Sequence, residues 1–151
     1  MLCVICVSCD KPQERTIRQF DAAMELMEKG NYSGAAELLE RVVEREPQND
    51  VAWYQLGVAR AAMGRHDKAV EAFERTVELS PNHAAAWRDL GASCLSLGQN
   101  NRAWDVVNRL ALIHPEEATE LAHFLHLNTP IAAPPPPGAS PPPADPPIER
   151  P

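Results

Sequence analysis

Across residues 51–63 the apolar side chains Trp53, Leu56, Val58 and Ala61 recur at helical spacing, and across residues 69–79 Ala69, Val70, Phe73, Val77 and Leu79 do the same. The pattern predicts two helices joined by the turn Gly64-Arg65-His66-Asp67. In that turn Gly64 follows the last helical residue, where a residue without Cβ takes the left-handed conformation at little cost, and Asp67 is placed to cap the second helix. Ser80-Pro81-Asn82 ends the second helix, because proline disfavours the helical conformation in the residue before it, and Asn82 offers a cap to the next. Gly57 and Gly91 fall inside predicted helices, each at a cost of about 1 kcal/mol relative to alanine, which points to close packing of the paired helix.

The same layout recurs at a step of 34 residues, the distance from Trp53 to Trp87. Leu56, Gly57, Gly64, Ala69 and Pro81 land on Leu90, Gly91, Gly98, Ala103 and Pro115, each the same residue type. The upstream equivalents Gln19, Ala22, Ala23, Gly30, Ala35 and Pro47 keep the Gly, Ala and Pro but lose the Trp-Leu-Gly front. In this first copy Ile17, Phe20, Met24, Leu26 and Met27 mark one helix, and Ala35, Leu38, Leu39, Val42 and Val43 the other. Asn31-Tyr32-Ser33 matches a glycosylation acceptor, but an Asn after the turn glycine is accounted for by turn chemistry.

A period in this range with a Trp-xx-Leu-Gly front and a Pro at the back marks a helix-turn-helix solenoid, and about three copies are the practical minimum for a stable array. On these residues the chain resembles the tetratricopeptide repeat family over three copies, at 16–49, 50–83 and 84–117. The resemblance implies an all-α, right-handed superhelical solenoid. Residues 115–127, PEEATELAHFLHL, predict a capping helix: Pro115 and two glutamates suit its N-terminus, and Leu121, Phe124, Leu125 and Leu127 form its apolar stripe.

The resemblance also implies a function. Family members present the first helix of every pair along a concave groove and bind extended or helical peptides there. Carried over, the groove positions of the first copy are Ile17, Phe20, Asp21, Met24, Met27 and Glu28. Those of the second are Val51, Tyr54, Gln55, Val58, Ala61 and Ala62, and of the third Ala85, Arg88, Asp89, Ala92, Leu95 and Ser96. Phe20, Met24, Tyr54 and Val58 are the expected anchors, with Asp21, Arg88 and Asp89 setting polarity. Relatives that hold the C-terminal carboxylate of heat-shock chaperones use a clamp of Lys, Asn and Arg; the clamp positions here hold Phe20, Met24, Gln55, Ala85 and Asp89, so a free carboxylate has no cationic partner. An apolar, Met-lined groove suits an amphipathic helix or a hydrophobic strand instead. Two alternatives remain open. The groove is filled from within by the lead or the last helix, or the chain is an assembly subunit that associates with itself.

A formal net charge of −7 without a basic run argues against nucleic acid or an anionic membrane surface as partner. No stretch approaches the roughly 20 apolar residues that span a bilayer. No nucleophile has a base and an orienting group at recognisable spacing, no glycine-rich loop follows a strand, and His123 and His126 lack a third ligand, so no catalytic residue, metal or cofactor is expected. Trp53, Trp87, Trp104 and Cys94 read as core.

The lead, residues 1–15, carries Cys3, Cys6 and Cys9 in an otherwise apolar stretch. A metal would need a fourth ligand that nothing nearby supplies. Val7-Ser8-Cys9 before Asp10-Lys11 resembles the end of a bacterial lipoprotein signal, with Cys9 as the acylated residue of a membrane-tethered envelope protein, although the basic opening and long apolar run of a full signal are not clearly met. Palmitoylation of the cysteines, or a flexible terminus with exposed thiols, are the other readings. From residue 128 the composition changes to a segment holding 11 of the 15 prolines, which predicts an extended, disordered tail with PxxP patterns that an aromatic-lined module could read.

Overall fold

A computed structural model describes residues 12–128, and the described residues form seven helices and no strand. They are α1 (Pro12–Glu28), α2 (Tyr32–Arg45), α3 (Asp50–Ala62), α4 (His66–Leu79), α5 (Ala84–Ser96), α6 (Asn100–Ile113) and α7 (Pro115–Asn128). Each of the three predicted copies is one antiparallel pair, and α7 follows as the capping helix. The start of α1 lies four residues ahead of the copy boundary at Thr16, so Pro12 to Arg15, read with the flexible lead, are helical. Proline at a first helical position gives up an N–H that has no partner anyway, and Glu14 in the first turn suits the helix dipole. Cys3, Cys6, Cys9 and the proline-rich segment lie outside the described residues.

The turns within pairs are built alike. Gly64 takes φ 73°, and its equivalents Gly30 and Gly98 take 74° and 72°. Around Gly64 the N–H of Gly64 donates to Ala61 O (2.9 Å) and that of Arg65 to Arg60 O (2.9 Å), the paired bonds that satisfy the last carbonyls of a helix ending in a left-handed residue. Two predicted caps are displaced by one or two positions. The residue before α4 is Arg65, which makes no side-chain cap, while Asp67 sits inside the first turn. The cap of α5 is His83, whose Nδ1 accepts from the Ala86 N–H at 3.2 Å, in place of Asn82. Asn49 and Asn31 cap α3 and α2 in the usual way, through Oδ1 to the N–H of Ala52 (3.0 Å) and Gly34 (3.1 Å). Asn31 is thereby explained as turn chemistry.

Two apolar clusters fill the array. One gathers Ala23, Leu39, Val42, Leu56 and Ala72; the other gathers Phe73, Trp87, Leu90, Trp104, Leu110 and Leu121. Helix α4 feeds both, through Ala72 on one side and Val70 and Phe73 on the other, so the pairs are cemented by nearest-neighbour burial. The interior glycine of α3 marks the tightest approach. A Cβ on Gly57 would stand 2.5 Å from Cε1 of the buried Phe73 ring in its paired helix α4. Gly91 differs from expectation: its close neighbour is Leu121 of α7, at 2.6 Å from a built Cβ, because α7 and not the paired α6 comes nearest there.

Among the first helices, α5 touches both α3 and α7, whereas α2, α4 and α6 make no comparable contacts with one another. The solenoid is therefore wound with its first helices inside and its second helices outside. Helix α7 buries Ala118, Leu121 and Leu125 against α5 and α6. It closes the end of the array and does not lie along the inner face of α1 and α3.

Candidate interaction groove

The inner face is lined by side chains from α1, α3 and α5, and a direct hydrogen bond between two of these first helices fixes its register. Tyr54 Oη donates to Asp89 Oδ2 at 2.9 Å, a link between one copy and the next. The Tyr54 ring also packs on His83 (centroids 4.6 Å apart) and on Phe73 (5.9 Å). Burial, the Asp89 charge and the bond to Asp89 together push the phenol up to about 12, with Arg88 opposing. Arg88 Nε lies 3.6 Å from Asp89 Oδ1. Three predicted groove residues, Tyr54, Arg88 and Asp89, are thus brought together and tied to each other. Tyr54 is half-buried and serves the stacking of copies two and three as much as the surface.

The others fall into two groups. Phe20, Met24, Met27, Gln55 and Val58 are half-buried on α1 and α3, and Asp21 is exposed on α1. Asp21 and Asp89 hold equivalent positions, but Asp21 has no preceding copy among the described residues to donate to it, and the residue beside it is Phe20 where Asp89 has Arg88. Neither Asp21 nor Glu28 has an ion-pair partner among the described residues.

Where α1 and the start of α3 meet the C-terminal end of α2, the inner face opens into a cleft of about 250 Å³, lined by Thr16, Ile17, Phe20, Val42, Glu46, Asn49 and Val51. Ile17 is 58 % exposed and Val51 48 % exposed, although both are large apolar side chains. The anchor list drawn from the sequence omitted these two, and their apolar character at groove positions was the signal that marked them. A second cleft, about 290 Å³, lies between α4, α5 and α6 and mixes Glu74, Glu78 and Asp105 with Arg102 and Arg109. Nothing in the repeat pattern pointed to it, since it forms where two second helices and α5 meet.

Cys94 is fully buried, and burial pushes its thiol up, with Arg102 opposing and Glu74 adding to the shift. Trp87 Nε1 donates to the Pro81 carbonyl at 2.8 Å and Trp53 Nε1 to that of Pro47 at 3.0 Å, so each tryptophan pins the turn before its own helix. Trp104 is buried and meets the His126 ring edge-on at 4.9 Å. Among the described residues no three His, Cys, Asp or Glu side chains converge as metal ligands, and no helix is long and apolar enough to cross a membrane.

An all-helical solenoid of stacked pairs, with its first helices inside, defines the class of protein-interaction repeat modules. The chain belongs to the tetratricopeptide repeat family: two profiles of that family match it, one over residues 20–82 and one over residues 60–125. Solved structures agree on the fold. The second tetratricopeptide domain of human RPAP3, in complex with the HSP70 peptide SGPTIEEVD, has a TM-score of 0.70 at 18 % identity, over 76 % of this chain and 98 % of that one. MamA has a TM-score of 0.70 at 22 % identity, over 77 % of this chain and 63 % of that one. The Yersinia enterocolitica type III secretion chaperone SycD, with a peptide of the translocator YopD, has a TM-score of 0.68 at 15 % identity, over 76 % and 92 %. No curated protein matches the chain significantly in sequence.

Proposed function

We propose that the inner face of α1, α3 and α5 binds a helix or extended peptide of a partner protein, and that the chain acts through it as a scaffold or adaptor without chemistry of its own. The observation that carries this reading is the row of incompletely buried apolar side chains on the first helices, Ile17, Phe20, Met24, Val51 and Val58, around the cleft where α1, α2 and α3 meet. Apolar surface left open on a concave face gains from being covered by a partner. Solved neighbours that hold peptides lend the mode of binding, but not its chemistry. The positions that would clamp a terminal carboxylate hold Phe20, Met24, Gln55, Ala85 and Asp89, none of them cationic.

Affinity capture with the full chain tests the reading, using Phe20→Glu with Val58→Glu as the control variant. Both positions are half-buried on the inner face, whereas a charge at Tyr54 would break its bond to Asp89 and test folding instead. Partners retained by the wild type and lost by a variant of unchanged helicity are expected. Partners retained equally by both would refute the groove.

Self-association is the second reading, favoured by Phe124 and Leu127 of the capping helix α7, which are 48 % and 72 % exposed. Light scattering over a concentration series would detect it as a rise in mass. A constant monomer mass would remove it.

A further inference from the structure

The groove has a sign as well as a shape. Among the described residues, the only charged side chain lining this cleft is Glu46, which is half-buried and accepts from Asn49 Nδ2 at 3.1 Å. Beside the cleft stands Asp21, and two turns further along α1 stands Glu28, both exposed and neither ion-paired among the described residues. Arg88, the single cation at the groove positions, is on α5 and already leans on Asp89. Arg18, nearest on α1, pairs with Glu14 at 3.7 Å, and Arg45 donates to Gln19. An apolar cleft with Glu46 in its lining therefore sits at the N-terminal half of the inner face, and Asp21 and Glu28 stand on the helix that supplies its Ile17 and Phe20.

Resting on the groove reading above, we propose that the partner segment is a basic amphipathic helix. One of its apolar side chains enters the cleft at Ile17, Phe20 and Val51, and Lys or Arg residues flanking that side chain meet Glu46, Asp21 and Glu28. Like charges brought together at a contact repel, so an acidic segment is disfavoured at this face while a basic one is drawn to it. The preference is opposite in sign to that suited to the acidic peptide held by the RPAP3 domain.

Two synthetic helical peptides with one leucine pattern test this, the first with lysine at every polar position and the second with glutamate. Their affinities for the full chain are read by fluorescence anisotropy at low and physiological salt. Three carboxylates predict about tenfold tighter binding of the lysine peptide, with the difference shrinking as salt rises. Asp21→Lys with Glu28→Gln and Glu46→Gln, the last of which keeps an acceptor for Asn49, is expected to abolish the preference. Ile17→Ser with Val51→Ser, at two exposed positions, is expected to weaken whichever peptide binds.

A lysine preference that survives the charge variant would place the contact elsewhere on a chain of net charge −7 and overturn the inference. So would equal affinities, or no binding of either peptide; if the Ile17 and Val51 variant still weakened the bound peptide, the groove reading would stand alone. Binding untouched by that variant would remove the groove reading and this inference together.

Discussion

At the scale of single residues, the two buried helical glycines separate local propensity from packing. Alanine is favoured over glycine in a helix by about 1 kcal/mol, yet overpacking a filled core costs about 1–3 kcal/mol. At Gly57 the new methyl would meet the edge of the Phe73 ring, which is 1 % exposed and has nowhere to turn. Gly57→Ala should therefore lower the urea midpoint. At Gly91 the built Cβ stands 2.6 Å from Cδ2 of Leu121, a leucine 2 % exposed that can change rotamer where a ring cannot, so Gly91→Ala should also lower the midpoint, but by less than Gly57→Ala. Equal losses at both sites would mean that the contact atoms do not decide the outcome.

Tyr54 gives a second residue-scale expectation. A phenol raised from 10.0 to about 12 in the folded chain holds its proton through a range where the unfolded chain has lost it. Its contribution to stability is therefore complete below pH 10 and disappears as pH rises from 10 to about 12. In a Tyr32→Phe background, absorbance at alkaline pH should show a single tyrosine ionising near 12, and Asp89→Asn should bring it down without restoring 10, because burial, the largest cause, remains. An ionisation near 10 in the folded background protein would contradict the cluster.

The element scale shows what the sequence could and could not reveal. Glycine, alanine and proline at fixed steps were readable because each does a local job: Gly64 turns left-handed, Ala69 is fully buried in its pair, and Pro81 ends a helix. Helix caps were legible only to within a residue or two. A cap is decided by where the chain leaves helical dihedrals, and that point moved from Asp67 to Arg65 and from Asn82 to His83. The Tyr54 to Asp89 bond was out of reach, since it joins different copies and depends on how they stack. Of the groove, the positions were readable and the internal ties were not.

Caps and capping helix each carry a prediction. Asn49→Ala removes the acceptor for the Ala52 N–H and should cost about 1 kcal/mol in denaturant unfolding. Leu125 is fully buried between α7 and the third pair, so Leu125→Ala should cost about 2–5 kcal/mol. In an array held by neighbours, the loss should appear first as faster amide exchange in α5 to α7 with α1 and α2 little changed. Uniform loss across all helices would argue for a single cooperative unit.

At the scale of the molecule, winding the first helices inward produces a surface that no single helix possesses. Stacking buries Leu56 and Leu90 completely or nearly so, yet leaves Ile17 and Val51 open at one edge of the inner face, on the same side as Asp21, which has no ion-pair partner among the described residues. The outer cleft of α4, α5 and α6 is different in kind: Arg102 and Glu74 already pair within it. On the proposed reading, a partner covers the inner face. Amide hydrogen exchange of the full chain, with and without the partner recovered by affinity capture, tests this most directly. Protection concentrated on α1 and α3 and reaching α5 is the predicted result; protection confined to α2, α4 and α6 would contradict it.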